Sequence, residues 1–92
     1  MAKNFRICTR EKNNRSMHIE LVGDFDASSA CELIRVLDKR VNRIKRVAID
    51  TDGLRNINTF GVDLLLPRIS GLTSRRADIT VTGRFSGVFQ PP

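Results

Sequence analysis

The sequence of 92 residues contains no tryptophan, no tyrosine and only five phenylalanines. Proteins that bind single-stranded nucleic acid without sequence preference stack the bases on aromatic side chains. A chain with so few aromatic residues lacks such a platform, which disfavours this class of function. The length allows one domain, because a second independent hydrophobic core would not fit. We therefore expect a single domain over residues 1–92.

Cysteine and long apolar segments are scarce as well. Cys8 and Cys31 are too few for a disulfide framework, so we expect buried free thiols in a reducing compartment. No apolar run approaches the roughly 20 residues of a membrane span, and the N-terminus is too polar for a signal peptide. These absences predict a soluble cytoplasmic protein that does not insert into a membrane.

Residues that perform catalysis or bind metal ions are nearly absent. His18 is the only histidine and no Cys-x-x-Cys pair accompanies it, so a catalytic triad or a zinc site lacks its parts. Gly-rich phosphate-binding loops are also missing. Four carboxylates at predicted strand ends could hold a cation, although helix capping and turn formation explain each of them. They are Asp24, Asp26, Asp50 and Asp52. We expect no enzyme activity, no metal and no cofactor.

What the chain does have is positive charge, with a formal net charge of +6. This excess suggests an acidic partner, such as nucleic acid, an anionic membrane surface or an acidic protein face. Residues 35–46 alone contribute +5 of it. Basic side chains of this segment fall on the side of a predicted helix opposite its apolar stripe, which predicts a solvent-facing basic face. That face consists of Arg35, Lys39, Arg43 and Arg46.

The hydrophobic pattern predicts the order strand, strand, helix, strand, helix, strand. Helix 1 is expected over residues 28–44, with Asp26 or Ser28 as its N-cap. Its apolar stripe consists of Ala30, Ile34, Leu37, Val41 and Ile44. Because strand-helix-strand units cross over right-handedly, we expect an α/β fold. The architecture is a single-layer, mostly parallel four-stranded sheet with the helices packed on one face.

The second half of the chain is predicted to hold a short strand, a loop and an amphipathic helix. The strand covers residues 47–49, and residues 50–58 have the composition of a loop. In the helix that follows, Pro67 predicts a kink or an early end, and Gly71 is a plausible terminator. A last strand contains Ile79 and Val81, and a C-terminal turn is packed by Phe85, Val88 and Phe89.

The start of the second helix is the candidate functional segment. Thr59 lies where unpaired backbone N–H groups and the helix dipole favour an anion, so a phosphate added there would be stabilised. Gly61 has no side chain to block the approach of a partner. The alternative is that Thr59 or Asn58 is merely the N-cap of this helix.

Four segments together resemble the STAS domain, the family of bacterial anti-sigma factor antagonists. They are the run Gly-Asp-Phe-Asp at 23–26, the first amphipathic helix, the strand Val-Ala-Ile-Asp at 47–50 and the segment Ile-Asn-Thr-Phe-Gly-Val-Asp-Leu-Leu at 57–65. The family pattern has Gly-x-Leu-Asp, a helix, a hydrophobic strand ending in Asp, and Asp-Ser-[Ser/Thr/Ala/Gly]-Gly-Leu at the second helix. The resemblance covers a core of about residues 5–85.

The resemblance implies a regulatory mechanism based on Thr59. In antagonist members, an anti-sigma kinase phosphorylates the hydroxyl residue after the signature Asp, and the unphosphorylated form binds that kinase and frees the sigma factor. Here that hydroxyl belongs to Thr59, Asn58 stands in place of the Asp, and Gly61 is the signature glycine. Asp26 matches the Asp of the first motif, which lies close to the phosphorylation loop in the family. Phe60 stands where small residues are usual.

The function expected from this resemblance is a cytoplasmic, bacterial protein–protein interaction module that regulates transcription. Its partner is an anti-sigma factor or a serine/threonine kinase-like protein, and the partner-binding residues are expected to be Asp26, Ser28, Asn58, Thr59, Phe60 and Gly61. An alternative in the same fold is an accessory subunit of an ABC-type phospholipid transporter, in which Thr59 contacts the ATPase unmodified. The less favoured alternative is nucleic-acid binding through the basic face.

Overall fold

A computed structural model describes residues 4–13, 15–40, 45–74 and 78–89. Its strands and helices follow the predicted order, which is confirmed. They are β1 (Arg6–Asn13), β2 (Ser16–Phe25), α1 (Ala27–Arg40), β3 (Arg46–Ile57), α2 (Thr59–Ser74), β4 (Asp78–Thr82) and a short C-terminal 3-10 helix (Ser86–Phe89).

The four strands form one sheet in the order β1-β2-β3-β4. β1 is antiparallel to β2, whereas β2, β3 and β4 are parallel to one another. Each parallel pair is joined through a helix, as parallel connections require. The predicted mostly parallel four-stranded α/β sheet is confirmed.

The core lies between one face of the sheet and the two helices. Alternate residues of β2 are buried, including Ile19 and Leu21, while His18, which precedes Ile19, is only half-buried and Glu20, between the two, is exposed. Both helices contribute to the same cluster, and its helical members are Ala30, Leu33, Leu37, Val62, Leu65, Ile69 and Leu72. The opposite face of the sheet, which we call the uncovered face, carries His18, Glu20, Ala48, Asp50 and Thr80.

Helix α1 follows most of the predicted stripe. Ala30 and Leu37 are buried and Ile34 is half-buried, whereas predicted members Val41 and Ile44 lie outside the described residues. Leu33 is fully buried too, because it is three and four residues from Ala30 and Leu37 and shares their side of the helix. The first helical residue is Ala27, close to the predicted start.

The loop predicted at residues 50–58 is wrong, because β3 continues to Ile57. Val22 pairs with Gly53 and Phe25 with Ile57, so the second half of β3 lies beside the second half of β2. Two register shifts give β3 one extra residue each, between Glu20 and Val22 and between Gly23 and Asp24. Such bulges accommodate turn-type residues inside a strand.

Helix α2 does not end at Pro67 or at Gly71, and both expectations of an early end are wrong. It runs to Ser74 with Pro67 inside it. Pro67 itself is exposed, while Leu65 and Ile69 on either side are buried. Burial of these side chains offsets the backbone hydrogen bond that the proline ring removes.

The C-terminal turn and the cysteines differ in part from expectation. Phe89 is buried, with its ring centroid 5.1 Å from that of Phe25, but Val88 is 45% exposed and does not pack inward.

Cys8 and Cys31 are free and exposed. The prediction of buried thiols is therefore wrong, because both side chains fall on the outward sides of their elements. None of the described helices is long and apolar enough to cross a membrane.

Candidate functional site

The candidate site lies where β2 and β3 end and where α1 and α2 begin. The backbone N–H of Asn58 donates to the carbonyl oxygen of Phe25 over 2.8 Å, which ties the end of β3 to the end of β2. Close by, the side-chain amide of Asn56 donates to Asp24 Oδ1 over 3.1 Å. The carboxyl ends of parallel strands are the usual place for sites in open α/β sheets.

Asp26 is the N-cap of α1. Its Oδ1 accepts a hydrogen bond from the backbone N–H of Ser29 at 3.0 Å, and its carbonyl oxygen accepts from the N–H of Ala30 at 2.9 Å. The bond from the Ser29 backbone stabilises the ionised carboxylate and lowers the pKa of Asp26. The buried hydroxyl of Ser29 donates to the carbonyl oxygen of Asp24 over 2.9 Å. Asp26 therefore fixes the start of α1.

Asn58 is the N-cap of α2, which answers the question that the sequence left open. Its Oδ1 accepts from the N–H of Phe60 at 2.9 Å, and its carbonyl oxygen accepts from the N–H of Gly61 at 3.0 Å. A side-chain oxygen that accepts from the second helical residue is the standard N-cap arrangement. Thr59 is consequently the first helical residue, and its hydroxyl is not needed for capping.

Gly61 brings the start of α2 against the end of β2. A Cβ at this position would lie 2.5 Å from the Asp26 carbonyl oxygen and 3.0 Å from Cδ2 of Phe25. Gly61 is buried against the chain's own backbone, so the expectation that it leaves room for a partner is wrong. The glycine instead allows the two helix starts to come together.

Thr59 and Phe60 are the exposed part of the site. Among the described residues, nothing forms a hydrogen bond with the Thr59 hydroxyl, and the side chain is exposed. Phe60 is 72% exposed, and Leu64, one turn further along α2, is 45% exposed. An uncommitted hydroxyl next to an apolar surface on a rigid helix is chemically suited to protein docking and to modification.

The remaining predicted partner-binding residue, Ser28, lies half-buried in the first turn of α1. Within the described part of the chain its hydroxyl has no hydrogen-bond partner. The structure thus brings all six predicted residues to one edge of the sheet. It adds Asp24, Ser29 and Asn56, which hold the strand ends together. Position at a strand end could have indicated Asp24, but no sequence signal distinguishes Ser29 from Ser28.

The predicted basic face is not one surface. Arg35 and Lys39 are exposed on α1, whereas Arg46 begins β3 beside Ser16 and Asp78. The helical placement of Arg46 is wrong, because Arg46 is the first residue of β3 and pairs with the neighbouring strands. Arg43 lies outside the described residues.

The four carboxylates considered for a cation all accept hydrogen bonds within the chain. Asp24 and Asp26 do so as described above, Asp50 Oδ1 accepts from the N–H of Asp52 at 2.9 Å, and Asp52 Oδ1 accepts from the N–H of Arg84 at 2.8 Å. Asp26 caps a helix and Asp50 accepts from the N–H two residues on, which are the local roles that the sequence favoured. Asp24 and Asp52 instead accept from residues distant in sequence, so the capping and turn roles expected of them are wrong.

The fold is that of anti-sigma factor antagonists with a STAS domain. The unphosphorylated form of the anti-sigma factor antagonist SpoIIAA superimposes with a TM-score of 0.73 at 16% identity, over 92% of this chain and 78% of that chain. The Bacillus cell fate determinant SpoIIAA in its phosphorylated form gives 0.66 at 14% identity, over 80% and 68%. The antisigma-factor antagonist STAS domain from Rhodobacter sphaeroides gives 0.65 at 18% identity, over 95% and 92%. No protein-family model matches the sequence, and no curated protein is significantly similar to it.

Proposed function

We propose that this chain is a STAS-type interaction module that docks an anti-sigma factor with kinase activity through the start of α2, and that phosphorylation of Thr59 ends the docking. The observation that carries the proposal is the division of roles at this helix start. Asn58 and Gly61 hold the helix in place, while the Thr59 hydroxyl is exposed and, among the described residues, unbonded.

The docking surface consists of Thr59, Phe60 and Leu64. Burial of the exposed Phe60 and Leu64 side chains against a partner supplies apolar contact area, and an aromatic side chain of this kind is a frequent anchor in protein interfaces. Because Thr59 precedes Phe60 directly, a group added to Thr59 lies at this surface.

The covalent step requires a nucleoside triphosphate bound to the partner. The Thr59 oxygen attacks the γ-phosphorus of ATP, a new oxygen–phosphorus bond forms, and the bond to the β-phosphate oxygen breaks to release ADP. The hydroxyl proton passes to a base on the kinase. The product carries about two negative charges at neutral pH.

Phosphorylation affects docking and the helix in opposite ways. At the first position of α2 the phosphate is stabilised by the helix dipole, so the helix itself tolerates it. Desolvation of a dianion next to Phe60 opposes burial of that surface, so docking weakens. The fold is shared with SpoIIAA, whose structure is known in an unphosphorylated and a phosphorylated form, and this likeness supports testing Thr59 as the modified residue.

Capture of partners from the native host tests the docking proposal. Immobilised wild-type chain and a Thr59→Val variant are expected to retain a protein with kinase activity, whereas Thr59→Asp and Phe60→Ser release it. Thr9→Asp is the matched control, because Thr9 is exposed on β1, away from the site. Equal retention by Thr59→Asp and by the wild type would contradict a phosphorylation switch.

Mass spectrometry of the chain purified from its host tests the modification. A phosphate is expected on Thr59 and not on Thr9 or Thr80, which are also exposed. If a transporter ATPase is captured and Thr59 is always unmodified, the chain is a transporter subunit and the proposal is wrong.

A further inference from the structure

The uncovered face of the sheet contains a cavity of about 330 Å³ at the opposite end of β3 from Thr59. The residues that line it include Lys12, His18, Arg46, Ala48, Asp78 and Thr80. The function proposed above makes no use of this region.

The cavity follows from the strand register. His18 lies beside Ala48 and Ala48 beside Thr80, while the neighbouring row places Arg46 next to Asp78. Ala48 occupies the central strand with a side chain of one carbon, and longer side chains surround it on three sides. The short Ala48 side chain therefore forms the floor of the cavity, and the longer polar side chains around it form the walls. These side chains share one face of the sheet because successive residues of a strand alternate between faces.

Five of the polar side chains that line the cavity make no hydrogen bond or ion pair within the described residues. In the described part of the chain, no hydrogen bond or ion pair occupies the side chains of Lys12, His18, Arg46, Asp78 or Thr80. The carboxylates at the other end of the sheet, by contrast, all accept hydrogen bonds within the chain. Small-molecule binding sites are typically concave and contain a few hydrogen-bond donors and acceptors that point toward the ligand.

We propose that this cavity binds a small organic phosphate that also carries an amino group. Lys12 and Arg46 supply two cations for the phosphate, and guanidinium groups bind phosphate oxygens through paired N–H donors. His18 and Thr80 offer further hydrogen bonds to it. Asp78, the carboxylate in the lining, accepts from the amino group of the same ligand.

Phosphoserine is a suitable probe because it combines a phosphate with an amino group. Titration of the full chain, followed by backbone amide NMR at constant ionic strength, is expected to give saturable shifts at residues 16–18, 46–48 and 78–80. Serine, which lacks the phosphate, is expected to give none. Inorganic phosphate should bind at least about tenfold more weakly, because it makes no contact with Asp78.

Three variants and a control locate the site. Ala48→Leu fills the cavity floor and should abolish the shifts, and Arg46→Gln should weaken phosphoserine binding at least about tenfold. Asp78→Asn should remove the preference for phosphoserine over inorganic phosphate. Arg55→Gln removes an exposed cation from the far end of the same strand and should leave binding unchanged.

Shifts that fail to saturate, or that saturate with the wild-type affinity in Ala48→Leu or in Arg46→Gln, would overturn the proposal. Equal affinity of the wild type for phosphoserine and inorganic phosphate would overturn the assignment of the amino group to Asp78. If Ala48→Leu does not fold, Arg46→Gln decides alone.

Discussion

At the scale of single residues, Gly61 allows the two helix starts to meet. The space for a Cβ is occupied by the Asp26 carbonyl oxygen at 2.5 Å, which is backbone and cannot rotate away. Gly61→Ala is therefore expected to lower the free energy of unfolding by about 1–3 kcal/mol, as overpacking does. Urea denaturation measures the change.

Gly71 provides the matched control for this substitution. It lies in the same helix, and a Cβ there would meet nothing within 4 Å. Gly71→Ala should raise the free energy of unfolding by about 0.5–1 kcal/mol, because alanine loses less backbone entropy in a helix. If both variants change stability in the same direction, the close contact at Gly61 is not the cause.

Asp26 links stability to pH. Hydrogen bonding from the Ser29 backbone N–H lowers its pKa in the folded state below the ordinary value. The stabilisation is complete above the ordinary aspartate pKa of about 4 and is lost as the pH falls through the lowered pKa. Asp26→Asn keeps an oxygen acceptor but does not titrate, so its stability deficit relative to the wild type should shrink below pH 4.

Urea denaturation at pH 7, 4 and 3 tests this dependence. Glu32→Gln is the control for loss of a negative charge, since Glu32 is exposed on α1 and, among the described residues, makes no hydrogen bond. A deficit of Asp26→Asn that stays constant across this pH range would show that the carboxylate cap is not the titrating group.

At the scale of elements, the C-terminal 3-10 helix stabilises the fold through one side chain. The Phe89 ring meets the Phe25 ring edge-on at 5.1 Å, and Phe25 also meets Phe5 at 6.0 Å. Phe89→Ala should cost about 3–5 kcal/mol of unfolding free energy. Val88→Ala, at the exposed neighbouring position, should change it by less than about 0.5 kcal/mol.

Thermal unfolding of the two variants distinguishes packing from a merely local effect. Similar melting temperatures for Phe89→Ala and Val88→Ala would mean that the 3-10 helix contributes nothing to the core.

The same scale shows what the sequence could predict. Hydrophobic periodicity was sufficient to identify β2, α1 and β4, because apolar residues recur at the spacing typical of a strand or of a helix in those segments. β3 beyond Ile49 was missed, because Asp52, Gly53 and Asn56 favour turns locally. Their pairing with β2, through two bulges, is a long-range interaction that local composition does not contain.

The sequence predicted which residues lie at the candidate site, but not what each of them does there. Resemblance to STAS domains brought Asp26, Thr59 and Gly61 together, and the structure places them at one edge. Whether Asn58 or Thr59 caps α2 depends on the direction of one side-chain oxygen, and the buried position of Gly61 depends on how closely α2 approaches β2. The first is the orientation of one side chain and the second is a tertiary contact, and single-sequence patterns specify neither.

At the scale of the whole molecule, the order of strands determines where the fold is most stable. Among the strands that the structure describes, β2 and β3 are paired on both sides, whereas β1 and β4 each have a single partner. Amides of residues 17–21 and 47–49 are expected to exchange with solvent only through global unfolding, and those of β1 and β4 through smaller openings. Native-state hydrogen exchange measures this, and equal protection in all four strands would contradict it.

The separation of cap from exposed hydroxyl at the start of α2 has an evolutionary consequence. Because Asn58 supplies the cap and the Thr59 hydroxyl has no bond to lose among the described residues, residue 59 can change with little effect on folding. Selection on partner binding, rather than on folding, can then determine whether serine, threonine, valine or an acidic residue occupies this position. Under the proposed function, a lineage can thus gain, lose or permanently fix a regulatory state through one codon.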